Sequence, residues 1–238
     1  MECPMNTESE FYNYKGTFSV VLLALVDANY RFIYVDIGCQ GRISDGGVFN
    51  NSSLYSKLQS DELDFPTDRK LCSTDEPLPY VFIGDSAFAL SRRMMKPYPG
   101  THEKGSPQRV FGYRLSRARR VVENVFGILS SVFRVFRRPM ALEPEKVSNV
   151  TLACVLLHNY LRGSPAATQS YIPPGTLDTE VDGEMIEGLW RKDQDEMTSF
   201  FPLKKLPRKA GKDAKDIRDA FAAYFTTSGK LSWQDSYC

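Results

Sequence analysis

Glu123 is the only acidic residue between Arg114 and Arg138, a stretch of helical spacing otherwise crowded with arginine. An isolated carboxylate in such company calls for a cation. Upstream, Tyr80-Val81-Phe82-Ile83-Gly84-Asp85 reads as a short buried strand that delivers Asp85 at its C-terminal end, where ligands collect in open α/β sheets. If the two carboxylates converge they form a divalent-metal site, and arginines beside them would hold phosphate while the metal activates water. That is the layout of a nuclease or strand-transfer enzyme. Each residue also has a structural reading. Asp85 could be a helix N-cap after its strand, and Arg117, Arg119, Arg120, Arg134, Arg137 and Arg138 could be solvated helix decoration instead of phosphate contacts. His158, set among Leu156, Leu157 and Leu161, reads as a hydrogen-bonded core histidine ahead of a ligand, and Asp27 reads as a turn residue.

The elements that must position these groups follow from periodicity. Thr17–Val26 and Tyr30–Ile37 read as a hairpin around Asp27-Ala28-Asn29, and the near-continuous apolar run from Phe18 to Val26 predicts burial of the first strand on both faces. A glycine-rich turn from Gly38 to Gly47 contains Asp45 and leads into a helix over Val48–Leu58, with Ser44 or Asp45 as its N-cap. Asp61–Pro79 reads as a surface insertion, and a short helical piece is expected around Ala87–Met95. Leu115, Ala118, Val122, Val125, Phe126, Leu129 and Phe136 recur at steps of three and four, predicting an amphipathic helix over Arg114–Phe136. Glu123 lies on a neighbouring stripe of that helix with Gly127 and Ser130 or Ser131 beyond it, small residues that leave room for a bulky ligand. Further helices are expected over Val147–Leu161 and Asp213–Phe225.

The 238 residues carry a net charge of only +1, but the charge is segregated. Between Ala89 and Met140 twelve Lys or Arg residues face only Glu103 and Glu123, a local balance of +10. From Gly175 to Ser199 eight acids face only Arg191 and Lys192, and Lys204–Arg218 turns basic again. Such one-sidedness around a candidate metal site makes nucleic-acid binding as good a reading as a solvated helix face. Five cysteines, an odd number without paired C-x-x-C spacing, point to a reducing compartment. No run approaches the roughly 20 apolar residues of a membrane span, and Met1-Glu2-Cys3-Pro4 lacks the order of a signal peptide.

Five segments share one order with a known family. Phe11-Tyr12-Asn13-Tyr14-Lys15-Gly16, Gly41-Arg42-Ile43-Ser44-Asp45-Gly46-Gly47-Val48-Phe49, Gly84-Asp85-Ser86-Ala87-Phe88, Arg120-Val121-Val122-Glu123-Asn124-Val125-Phe126-Gly127 and Leu157-His158-Asn159-Tyr160-Leu161 make the chain resemble Harbinger-type (PIF/Harbinger) transposases and nucleases derived from them. The resemblance runs from about Pro4 to Arg162. It implies an α/β, RNase H-like mixed sheet flanked by helices over residues 1–162, with 163–238 as linker and tail ending in a short helix. It also implies an Asp-Asp-Glu site working on DNA with two Mg²⁺ or Mn²⁺ ions. Asp85 matches the family's second aspartate, Glu123 its glutamate, and Asp45 an additional acidic position associated with the metal. The first aspartate, in an Asp-Gly-Thr/Lys-His motif on the first central strand, has no counterpart in Met1–Glu10. Removing a carboxylate shared by two ions leaves at most one weakly held ion, so metal binding is expected to outlast catalysis. The absent strand would also leave backbone groups unpaired on both neighbours, so that either the neighbours close up or the chain belongs to a longer one. The alternative to an enzyme is a metal-binding remnant that holds DNA or protein without cutting. The resemblance further implies residence in the nucleus and, since no helix-turn-helix module is evident, a separate helix-turn-helix protein as the DNA reader.

Overall fold

Asp27 turns the chain between the first two strands. Its Oδ1 accepts the N–H groups of Asn29 and Arg31, both at 2.8 Å, and Tyr30 takes a left-handed φ of 63°. The strands it joins, Val20–Val26 (β1) and Phe32–Gln40 (β2), pair antiparallel with register shifts between Val21 and Leu22 and between Leu25 and Val26. This computed structural model describes residues 1–4, 10–13, 15–43, 45–71, 76–196, 200 and 210–238, the side chains of 45, 46 and 193–196 excepted. The chain divides into two units, Met1–Val48 with Arg120–Lys204 and Phe49–Arg119 with Lys205–Cys238.

In the first unit the approach to β1 is tied down by Asn13. Its Oδ1 accepts the N–H of Lys15 at 3.0 Å and of Thr17 at 3.2 Å, around Gly16 at φ 78°. Gly41 lets three backbone segments meet, since a Cβ there would lie 2.6 Å from the Ser19 carbonyl oxygen and 2.8 Å from that of Phe11.

The helix Pro144–Gly163 (α4) packs on β2 and β1. Proline at its first position sacrifices no helical hydrogen bond. Its Cys154 and Val155 meet Phe32, Val125, Leu129 and Phe136 in the unit's core, with Ala24, Val26 and Val35 of the hairpin against them. Two polar side chains of α4 then grip the hairpin's turn end. Asn159 accepts the Phe32 N–H at 2.9 Å and donates to the Phe32 carbonyl at 2.8 Å, taking the place of a neighbouring strand. His158, fully buried, bonds the Tyr30 carbonyl through Nε2 at 2.6 Å and the Tyr171 hydroxyl through Nδ1 at 2.8 Å. It is the core histidine its apolar context indicates. Tyr171 ends the helix Pro165–Tyr171 (α5), and Thr179–Val181 (β5) and Glu184–Ile186 (β6) follow as a hairpin turned by Asp182 at φ 49° and Gly183 at φ 87°. That Asp-Gly pair suits a two-residue turn with both residues left-handed.

The second unit holds the first half of the long helix Pro107–Val132 (α3), whose Phe111 and Leu115 pack with Leu90, Met95 and with Ala214, Ile217 and Ala222 of the helix Lys212–Thr226 (α6). Arg114 donates to the Gly229 carbonyl at 3.2 Å and to Gln234 Oε1 at 3.3 Å, while buried Gln234 donates to the Phe225 carbonyl at 2.9 Å. The stretch after Arg162 thus contributes to the interiors of both units.

The architecture is mixed α/β with helices and small sheets, and several expectations need correction. Among the described residues the strands form three two-stranded ladders, β1–β2, β5–β6 and the parallel pair Phe82–Ile83 (β3) with Met94–Met95 (β4), and not one mixed sheet. β1 is not fully buried on both faces: of its seven residues only Val21 is buried and the other six are half-buried. β3 is two residues long and Ile83 is 44% exposed. Ala87–Met95 is no helix but a turn running into β4, since Phe82 and Gly84 donate to the carbonyls of Arg93 and Met95 at 2.8 and 2.9 Å and draw that segment into a ladder. The helix expected over Val48–Leu58 is split into Asp45–Asn51 (α1) and Ser53–Gln59 (α2), because Ser52 Oγ caps the second piece by accepting the Tyr55 N–H at 3.2 Å. α3 starts earlier than its apolar repeat and stops at Val132, with Arg134–Phe136 continuing as a 3-10 turn.

His158 makes the first unit sensitive to acid. Burial holds its pKa below the usual 6.5, the hydrogen bond to the Tyr30 carbonyl works the other way, and the charge of Arg162 adds to the lowering. The unfolded chain therefore takes up this proton at higher pH than the folded one. The stability contributed by neutral His158 is complete above about pH 6.5 and is lost as pH falls from there through the folded value. Urea midpoints measured on either side of that range should fall on acidification, and His158→Gln should cost about 2 kcal/mol while flattening the pH dependence. An unchanged pH profile in the variant would contradict this assignment.

Candidate functional site

Asp85 stands in the second unit, just past β3, where the chain turns sharply. Its Oδ1 accepts the Ala87 N–H at 2.8 Å, fixing the carboxylate to the turn it opens. The turn is pinned by packing and by charge. A Cβ on Gly84 would lie 2.8 Å from the Phe88 ring and Ala87 is buried, while Lys96 Nζ donates to the carbonyls of Ser86 at 3.0 Å and Phe88 at 2.7 Å. The segment Gly84-Asp85-Ser86-Ala87-Phe88 is thereby a rigid mount for a half-buried carboxylate.

Glu123 stands in the first unit, exposed on α3, and its immediate neighbour Asn124 is 2% exposed. Asn124 Oδ1 accepts two hydrogen bonds, from the Asp178 backbone N–H at 3.0 Å and from Trp190 Nε1 at 2.8 Å. One turn on, the indole of Trp190 occupies the space beside Gly127 that a Cβ would fill. The small residues after Glu123 do not hold an external ligand at this point, contrary to the sequence expectation. The room at Gly127 is taken by a tryptophan of the same chain. Ser130, also buried, turns its hydroxyl inward to the carbonyls of Phe126 and Gly127, both at 3.0 Å.

Asp178 organises the segment that carries Trp190. Its side chain has no exposed surface; Oδ1 accepts from Gly188 N at 2.8 Å and Arg191 Nε at 2.9 Å, and Oδ2 accepts from Arg191 Nη2 at 2.6 Å. Burial alone would raise the pKa of this carboxyl, but the Arg191 and Gly188 hydrogen bonds, with the charges of Arg191 and Arg120, together hold it below its ordinary value. Arg191 is correspondingly held more firmly protonated, first by its hydrogen bonds to Asp178 against the opposing effect of burial, then by the negative charges of Asp178, Glu187 and Glu123. The isolated Glu123 carboxylate thus feels a fixed cation supplied by the acidic stretch. Arg120, one turn before Glu123, reaches Glu180 at 3.5 Å with both side chains mostly covered.

The other arginines divide by exposure. Arg134 and Arg138 are exposed and Arg119 is half-buried. Arg137 donates to the Ser131 carbonyl at 3.0 Å, and Arg117 in the second unit lies over the Trp233 ring at 3.8 Å. Asp45 is the first residue of α1, and its carboxylate lies outside the described side chains, as does Ser44 altogether.

The donor chemistry fits a hard divalent ion. Asp85 and Glu123 are both carboxylates, the ligand type Mg²⁺ and Mn²⁺ prefer, whereas the thiols of Cys154 and Cys238 are pushed up by burial and His158 has both ring nitrogens engaged. Among the described residues no group of three or more His, Cys, Asp or Glu side chains gathers into a ready-made cage. Magnesium ordinarily uses one or two carboxylates with water and substrate phosphate, so each acid by itself is of the right ligand type.

Trp190, Asp178 and Arg191 were not legible as site residues from composition, which marks their stretch as an acidic linker. The available signals were a tryptophan and an arginine interrupting that acidic run, and an asparagine and a glycine flanking Glu123 at positions where a plain amphipathic helix needs neither.

Comparison with known proteins matches residues 2–159 to the family described as DDE superfamily endonuclease. HARBI1 of Mus musculus, a candidate nuclease by name, is 27% identical over 191 residues, covering 77% of this chain and 49% of its own length. The ALP1-like protein of Arabidopsis thaliana is 28% identical over 145 residues, covering 60% of this chain and 35% of its own. The chain therefore spans half or less of the length of these relatives. No solved structure matches.

The indole socket can be tested without any activity. Gly127→Ala should displace Trp190, cost about 2 kcal/mol by overpacking and shift the Trp190 emission to the red when read in a Trp233→Phe background. Asn124→Ala should give the same shift by stranding two buried N–H donors. Emission unchanged in both would show that the indole is not seated there.

Proposed function

Because the chain belongs to the DDE superfamily of endonucleases, on its Harbinger-type branch, we propose that it hydrolyses phosphodiester bonds in DNA with Mg²⁺ or Mn²⁺ held by Asp85 and Glu123, and with Asp45 as a further acidic ligand. The observation that carries this reading is the mounting of Glu123. It is an exposed carboxylate whose helix is locked by the buried bonds of Asn124, so the group is presented outward from a fixed backbone. Asp85 is presented in the same manner by its turn.

When bound, the cation supplies Lewis acidity to the scissile phosphate and makes water a stronger nucleophile. The protein's own residues hold and orient. Asp85 and Glu123 fix the cation, while Arg134 and Arg138, being exposed, neutralise neighbouring phosphates and set the register of the duplex. Arg119 joins them from the same basic stretch. Arg117, Arg120 and Arg137 can reach phosphate only by exchanging Trp233, Glu180 and the Ser131 carbonyl for it. Base-specific reading falls to a separate helix-turn-helix protein, and the natural setting is the nucleus. The basic residues Lys204, Lys205, Arg208 and Lys209, which suit import, lie outside the described residues.

A second reading is DNA binding without cleavage, through the exposed Arg134 and Arg138. Plasmid nicking in Mn²⁺ separates the two. Under the first reading Asp85→Asn and Glu123→Gln each reduce nicking to the metal-free background; equal nicking by the parent chain and Glu123→Gln would remove the proposed site. Under the second, the parent chain does not nick but binds duplex in a salt-sensitive manner. In either case Arg134→Gln and Arg138→Gln should each lower the salt slope by about one, and salt-insensitive binding would count against phosphate contacts.

A further inference from the structure

The second unit contains a cleft of about 340 Å³ that the metal-site reading does not use. It is lined by Tyr98 and His102 on one segment and by Gln108, Arg109, Gly112 and Tyr113 on α3. The size lies at the small end of ligand sites, enough for a single flat ring system with a substituent and far too little for a duplex.

The walls are aromatic and held in place. Tyr113 lies parallel to Tyr237 at 6.0 Å and 6°, and Trp233 meets it edge-on at 6.2 Å. Arg117 covers Trp233 at 3.8 Å. Tyr98 gives its hydroxyl to Asp219 at 2.5 Å and carries the guanidinium of Arg218 at 3.7 Å from its ring centre. These contacts fix the orientation of both rings.

Gly112 supplies the floor. It sits inside α3, where glycine is a poor choice, yet a Cβ placed on it would meet nothing within 4 Å. Gly127 on the same helix has a tryptophan to explain it; among the described residues Gly112 has no neighbour that needs its missing side chain. What it leaves is open access to helix backbone at the bottom of an aromatic cleft. The polar groups around it are of two kinds. Gln108 offers an amide that both donates and accepts, and His102 lines the cleft with its Nε2 covered and, among the described residues, without a hydrogen-bond partner. Arg109 is exposed and cationic.

We propose that this cleft takes one unpaired nucleobase of a DNA strand, stacked against Tyr113 beside Gly112, with Gln108 meeting its hydrogen-bonding edge and Arg109 its phosphate. A flat π-system, a donor-acceptor edge and an adjoining anion are together the description of a nucleotide, and aromatic faces flanked by arginine bind single strands with little sequence preference. The inference rests on the reading of this chain as a DNA-acting domain, and it adds a second subsite: a frayed, nicked or overhanging strand is held apart from the metal carboxylates.

Fluorescence anisotropy with a blunt duplex, and with the same duplex carrying a short single-stranded overhang, tests it. The overhang should bind about tenfold more tightly. Gly112→Leu should abolish that preference by filling the cleft, leave blunt-duplex affinity within about twofold, and raise or preserve Tm because leucine favours helix over glycine. Tyr113→Ala should also lose the preference. Equal binding of both duplexes by the parent chain, or a preference that survives Gly112→Leu, overturns the proposal while leaving the metal-site reading intact. A fall in Tm with Gly112→Leu would show that the floor is not open and would overturn it too. Absence of binding to either duplex would sink both readings together.

Discussion

Asn124 cannot rotate away from its post without leaving two buried donors unsatisfied, and this restriction governs how the helix next to it presents Glu123. Its single oxygen takes the Asp178 backbone N–H and the Trp190 ring N–H, so a segment more than fifty residues downstream is fastened to the residue beside the candidate ligand. An unmet buried donor costs on the order of 1–3 kcal/mol, which is a large fraction of what holds a domain of this size together. The glycine at 127 is the geometric counterpart of that bond, removing the one methyl group that would keep the indole out. Exposure and packing are therefore interleaved on neighbouring residues. Glu123 faces outward, Asn124 faces inward to hold, and Gly127 carries no side chain so that holding is possible.

The same economy appears in α4. His158 and Asn159 sit where an amphipathic helix would place aliphatic residues, and they spend their polar groups on the backbone of the β1–β2 hairpin. Tyr30 has a left-handed backbone whose carbonyl is captured by His158 Nε2, so an uncommon conformation is paired with a specific recipient for its oxygen. Acidic residues outside the candidate site have comparable structural duties. Asp27 makes a turn, Asp178 anchors a guanidinium, and Glu180 covers Arg120.

The helices were legible because their apolar residues recur on one side over many turns, and α3, α4 and α6 lie where that repeat places them, allowing for their ends. The first hairpin and its Asp27 turn were legible for the corresponding reason in strands. What failed was inference from hydrophobic content to sheet context. The apolar run of β1 suggests a central strand, yet hydrophobicity is silent about how many neighbours a strand has, and among the described residues β1 has one. The helical piece after Asp85 was lost to a local competition, because two carbonyls in Arg93–Met95 accept from the β3 backbone. At the candidate site, Asp85 and Glu123 stand out in the sequence as residue types in order, whereas the Asp178-Arg191-Trp190 assembly does not. Long-range polar pairing leaves no periodic trace, and a segment rich in acids looks alike whether it is solvated or folded back on a basic helix.

Asn159 gives the start of β2 a property that concerns other molecules more than this one. By saturating both the N–H and the C=O of Phe32 with a side-chain amide, it denies that stretch of backbone to any passing extended peptide. A short two-stranded ribbon is otherwise vulnerable to recruitment into intermolecular cross-β stacking. The amide does sterically and electrostatically what a third strand would do, with a helix as its carrier, so solubility of the hairpin at this end is built in by a residue whose place in the sequence suggests only helix.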